Sequence, residues 1–256
     1  MFGLEPNYGC CTANFNQGWP KLALSAFMYH DDTVFASIPI PCTLNAENVT
    51  VSLKTNYPFE NNWVYGVKAK KDIKLKIRVP SFAQNLRVNG EKMPYCEELT
   101  FPVSADESQR IEICFDTLPA LIDRPHNLKS VKCGSLIFSI PIKYEKKMRE
   151  YEKDGVERKF PYCDYEYIPQ SDWNYAYSSP FFKSEVRQIS DIPFISENPP
   201  VVVKAEVKQI PWGFEPGYTT VCAKTPQSRI PLSEAKIIEL YPYGCAKLRM
   251  TEIPLI

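Results

Sequence analysis

Apolar positions in this chain keep a period of three to four over one short stretch and a period of two over most of the rest. Phe15, Trp19, Leu22, Ala26 and Tyr29 fall on one helical face. They predict a helix from about Ala13 to Met28, in which Pro20 marks a kink or the first turn of a second half. That face is too apolar for an isolated surface helix and calls for a partner. After Asp31-Asp32 the period becomes two. Val34, Ala36, Ile38 and Ile40 alternate, as do Val49, Val51 and Leu53, and then Ile73, Leu75, Ile77 and Val79 around Lys74, Lys76 and Arg78. Leu86 to Val88 runs into Asn89-Gly90, a strong hairpin signal. Ile111, Ile113 and Phe115 alternate next, followed by Leu136, Phe138 and Ile140, then Val201 to Val207, Ile237 to Tyr241 and Leu248 to Thr251. Short strands separated by turn residues predict a sandwich-type β body. Lys143 to Arg158 is densely charged and reads as a solvated loop or a short exposed helix.

Composition narrows the function classes. The 256 residues, 44% hydrophobic, are enough for a real core in one large or two modest domains. Thirty basic and thirty acidic residues balance, which removes the electrostatic case for nucleic acid or an anionic membrane as partner. No stretch approaches the roughly 18 apolar residues of a membrane span. Met1-Phe2-Gly3-Leu4-Glu5 has no signal-peptide character. His30 and His126 are the only histidines, which argues against a histidine triad or a multi-histidine metal site. The nine cysteines are an odd number without C-x-x-C spacing, unlike a disulfide framework. Most read as small buried hydrophobes in a reducing compartment.

The candidate chemistry lies in Gly9-Cys10-Cys11-Thr12-Ala13-Asn14-Phe15-Asn16-Gln17-Gly18-Trp19-Pro20-Lys21. Adjacent cysteines do not readily bridge each other. They suit buried structural thiols, a shared soft metal ion such as zinc, or a nucleophile with a lowered pKa. The aromatic stretch with Trp173, Tyr175 and Tyr177 is read first as core and second as a surface for stacking sugar rings.

The double-cysteine segment resembles the β-L-arabinofuranosidases of glycoside hydrolase family 127. Three later segments agree in order. Lys74 to Phe82 with Val88-Asn89-Gly90 resembles that family's "L-R-I-P-x-W … V-N-G" strands. Arg124-Pro125 with Cys133-Gly134-Ser135-Leu136-Ile137-Phe138 resembles its "R … G-P-L-V-Y". Tyr241-Pro242-Tyr243-Gly244 through Leu248-Arg249-Met250-Thr251 to Pro254 resembles its "P-Y-G … L-R-I-T-x-F-P". Gln17 stands where many relatives have arginine, Phe82 where tryptophan is usual, and Ser135 where proline is usual.

The resemblance implies a C-terminal fragment, lacking most of the catalytic (α/α)6 barrel. The fold expected is mainly β: two β-sandwich, jelly-roll-like domains preceded by one α-helix left over from the barrel. Residues 1–30 would be the last barrel helix, 31–130 the first sandwich and 131–256 the second. It implies retaining hydrolysis with Cys10 as nucleophile, Cys10 and Cys11 as zinc ligands, and the other ligands and the acid/base upstream. The fragment alone is expected to be inactive, on a carbohydrate substrate that is arabinofuranoside-like, with a homodimer formed through a β-sandwich. The alternative is a non-catalytic carbohydrate-binding or structural module. The cysteines favour a cytoplasmic setting, although a signal peptide would be lost with a missing N-terminus.

Overall fold

A computed structural model describes residues 9–218 and 221–256, without the side chains of Cys11 and Thr12. The chain is mainly β, as the alternation predicts, and divides near Thr117 into two compact units.

The first unit begins with two short helices, α1 (Gly9–Phe15) and α2 (Gly18–Leu24). Ten strands follow: β1 (Phe27–His30), β2 (Thr33–Ala36), β3 (Cys42–Asn45), β4 (Val49–Thr55), β5 (Asn62–Ala69), β6 (Ile73–Arg78), β7 (Gln84–Val88), β8 (Glu91–Lys92), β9 (Glu98–Val103) and β10 (Ser108–Asp116). They form a four-stranded sheet, β1-β2-β6-β9, and a six-stranded sheet, β3-β4-β5-β10-β7-β8. Every pairing is antiparallel except β2 with β6, where Val34 lies opposite Leu75. Alternate residues face a common core: Val34 and Ala36, Val51 and Leu53, Leu75 and Ile77, Ile111 and Ile113 are all buried. At its centre Trp63, fully buried, meets Tyr57 and Phe115 edge-on at ring distances of 5.6 and 5.1 Å. Asn89 and Gly90 both take positive φ (50° and 86°), the geometry a two-residue turn between β7 and β8 requires.

The helix expected over 13–28 differs in extent. The first helix starts earlier, at Gly9, and breaks after Phe15, where the Gln17 amide turns back to the Asn14 carbonyl at 3.1 Å. Pro20 then sits in the first turn of α2, where a missing N–H costs no helical bond. The helix ends at Leu24, and Ala26 and Phe27 enter the core. Phe27–His30 pairs with Thr33–Ala36 across a turn in which Asp31 has φ 53°. Strand pairing and burial override the helical period over the last four residues of the predicted segment.

Among the described residues the second unit carries twelve strands: β11 (Ala120–Arg124), β12 (Leu128–Cys133), β13 (Leu136–Pro141), β14 (Tyr144–Arg149), β15 (Tyr151–Lys153), β16 (Val156–Arg158), β17 (Asp164–Pro169), β18 (Tyr175–Tyr177), β19 (Lys183–Val186), β20 (Val201–Gln209), β21 (Lys236–Pro242) and β22 (Arg249–Met250). Its main sheet has the order β11-β12-β13-β21-β20-β18, with β19 also on β20 and β22 on β13. Residues past β22 join distant parts of this sheet. Ile253 pairs antiparallel with Lys129 of β12, and Leu255 pairs parallel with Tyr177 of β18. The sheet therefore curls and is closed by its last segment. Val201, Val202 and Val203 are buried in succession, so this part of β20 is covered on both faces.

The charged stretch 143–158 is exposed as far as Glu157, as expected, with Arg158 buried, but it forms strands rather than loop or helix. Cross-strand contacts hold β14 against β17. Tyr144 and Tyr167 meet edge-on at 4.7 Å, and Arg149 pairs with Glu166 at 2.7 Å. Asp154 and Gly155, with φ of 53° and 73°, make the two-residue turn between β15 and β16. That Asp-Gly pair is the signal in the sequence that marks the hairpin.

Candidate functional site

Cys10 lies on α1 and is exposed. Behind it a hydrogen-bonded ladder runs along the helices. The Asn14 side-chain amide donates to the Cys10 carbonyl at 2.7 Å, and Gln17 Nε2 donates to Asn14 Oδ1 at 2.5 Å. Lys21 Nζ reaches Gln17 Oε1 at 3.5 Å. The ladder spans the break between α1 and α2 and fixes the backbone that carries the cysteine. The same stretch shows an apolar surface: Phe15 is 74% exposed, Trp19 66% and Leu24 80%. No residue of α2 is buried. Apolar side chains of this size in one short segment mark a surface built to be covered.

The side chain of Cys11, the second candidate zinc ligand, lies outside the described residues. Thiols are the right donor type for zinc, but a closed zinc site needs four ligands. Among the described residues no group of three or more His, Cys, Asp or Glu side chains is placed to hold a metal ion. His30 is spent on an exposed contact with Asp31 at 3.0 Å. The described residues therefore do not by themselves build a zinc site.

The other cysteines are not arranged for chemistry. Cys163 and Cys245 are buried, and Cys42, Cys114 and Cys222 are half-buried. Burial raises the pKa of Cys42, Cys114, Cys222 and Cys245, the last two to about 11, so these stay protonated thiols at neutral pH. Tyr175 and Tyr177 are buried in the second unit, Tyr175 receiving a hydrogen bond from Lys236 Nζ at 2.7 Å. They are core residues, in line with the first reading of that aromatic stretch.

Comparison with known proteins separates fold from sequence. No family model and no curated protein matches the sequence. Solved structures do match the fold. A GH127 beta-L-arabinofuranosidase from Geobacillus stearothermophilus T6 superposes with a TM-score of 0.60 at 12% identity, covering 96% of this chain and 37% of that one. A protein described as a glycoside hydrolase gives 0.56 at 13% identity, over 96% and 39%. A second GH127 beta-arabinofuranosidase gives 0.53 at 12% identity, over 100% and 40%. At these identities the likeness is one of fold. The chain spans about two fifths of the length of the proteins it matches.

The helical period starts at about Ala13 and leaves Cys10 before it, whereas the structure begins α1 at Gly9 and so puts Cys10 on the helix. The Asn14–Gln17–Lys21 ladder was not anticipated. Its i, i+3 and i+4 spacing is the signal that could have found it.

Proposed function

We propose that this chain is the C-terminal part of a retaining glycoside hydrolase of the GH127 type, acting on β-L-arabinofuranoside-like sugars. The observation that carries the reading is the coincidence of two independent features. The fold matches two GH127 enzymes over nearly the whole chain. The exposed apolar helices that would pack on a helical barrel also carry Cys10.

In this reading the Cys10 thiolate attacks the anomeric carbon as the bond to the leaving oxygen breaks. A carboxylic acid upstream of this chain gives that oxygen its proton. Water then displaces the thiolate and releases the sugar with retained configuration. Cys10 and Cys11 would be two of the four ligands of a zinc ion, which would favour the deprotonated thiol. The remaining ligands would come from outside this chain, and on this reading the isolated chain would be inactive.

The test is hydrolysis of an aryl β-L-arabinofuranoside. The full protein carrying this chain should turn over, and Cys10→Ser should abolish it by about three orders of magnitude or more. The isolated chain should show none. Turnover that survives Cys10→Ser would overturn the assignment.

A further inference from the structure

A cavity of about 810 Å³ lies wholly within the second unit, on the face of the sheet that carries Ile122 and Arg124 of β11 and Leu128 and Ser130 of β12. Trp212, Phe194 and Tyr243 contribute the aromatic part of its lining. This size and an apolar lining with a few polar groups are those of a small-molecule site.

Three features show that the walls are fixed. The Trp212 indole is buried, and its Nε1 donates to the Ala223 carbonyl at 2.8 Å. Phe194 lies so close to Gly244 that a Cβ there would meet its ring at 2.8 Å. The Arg249 guanidinium sits 3.5 Å from the centre of the Tyr243 ring, held by a bond from Nη1 to the Ala246 carbonyl at 2.6 Å. Arg124 Nε and Glu252 Oε1 meet at 2.7 Å in the lining. Lys224, also in the lining, is exposed. Deepest of the polar groups is Ser130, 2% exposed, whose Oγ has no hydrogen-bond partner. A buried hydroxyl without a partner is uncommon and points to a group that completes it.

The chemistry disfavours two ligand classes. A phosphate or other anion would meet the Glu252 carboxylate beside an Arg124 already paired with it, and of the lining's cations would have only the exposed, solvated Lys224 to answer its charge. A purely apolar ligand would strip water from the ion pair and leave the Ser130 hydroxyl unsatisfied. A neutral sugar has what the lining lacks. Its C–H faces suit aromatic walls, and its vicinal hydroxyls can both accept from a guanidinium and donate to a carboxylate.

We propose that this cavity is a non-catalytic binding site for a neutral sugar, holding one or two rings of an oligosaccharide. It is independent of Cys10 and would act whether or not this chain takes part in hydrolysis.

The test is saturation-transfer NMR and calorimetry on the full chain. The probes are the methyl glycosides of arabinose, xylose and galactose, their disaccharides, and galacturonic acid as charged control. Saturable binding of at least one neutral sugar is expected. Tyr243→Ala and Glu252→Gln, at partly exposed positions that should leave the fold intact by circular dichroism, should each weaken it by about tenfold. Cys10→Ser should leave it unchanged, which separates this site from the proposed active site. No saturable binding of any neutral sugar, equal binding by both cavity variants, loss on Cys10→Ser, or binding of galacturonic acid alone would each overturn the proposal.

Discussion

The two units bury their apolar residues in different ways. In the first, two sheets face each other, and each strand gives alternate residues to one shared core, as Ile73, Leu75 and Ile77 do. In the second, one sheet bends round and closes on itself, and a strand such as β20 buries Val201, Val202 and Val203 in a row. The first arrangement leaves one wet face per strand. The second leaves room on the outer face of β11 and β12 for loops to build a cavity. Loops draped on a sheet scaffold are where ligand sites are commonly built.

That contrast can be tested by substitution. The largest effect is expected at the centre of the first core. Trp63→Ala should cost about 3–5 kcal/mol, read as lost amide-exchange protection in β5 and β10. Leu240→Ala, at a fully buried position of β21, should cost about 2–5 kcal/mol and be felt in β20 and β21. If Trp63→Ala strips protection from β20 as well, the two cores are not separate. Gly90→Ala tests turn geometry alone. Space is open around that glycine, but its φ of 86° strains an L side chain, so a loss of about 1 kcal/mol is expected in thermal melts.

The smallest effect is a pH dependence in the first unit. Hydrogen bonds from Arg87 and Asn85 hold the Asp116 carboxyl below its ordinary value. A depressed folded pKa stabilises above the unfolded value of about 3.9 and is lost as pH falls through the lower folded value. Asp116→Asn should therefore flatten the acid limb of stability below about pH 4 and change little at pH 7. An unchanged acid limb would show that the pair contributes nothing measurable, as is common for exposed ion pairs.

Much of this was legible in the residues. The alternation at 49–53, 73–79 and 111–115 names the buried positions of the first core, because one face of each strand is wet. Asn89-Gly90 marks its hairpin for a steric reason that belongs to two residues alone. The helix end was not legible, since Ala26 and Tyr29 fit the helical period but are claimed instead by the core and by β1. The stretch 143–158 reads as loop or helix rather than as strands, because its charged positions hide the Asp154-Gly155 turn among solvated neighbours. Cys10 stood out by itself. The cavity did not, because its ion pair joins positions 128 residues apart and no local period announces such a meeting.

The closure of the second sheet also sets an order of events during synthesis. Lys129 and Tyr177 leave the ribosome well before Ile253 and Leu255, the residues that tie β12 to β18. Until those arrive, sheet edges stay open, and open edges are what neighbouring chains pair with. Pairings over so long a separation form slowly, so this unit is expected to complete its folding late.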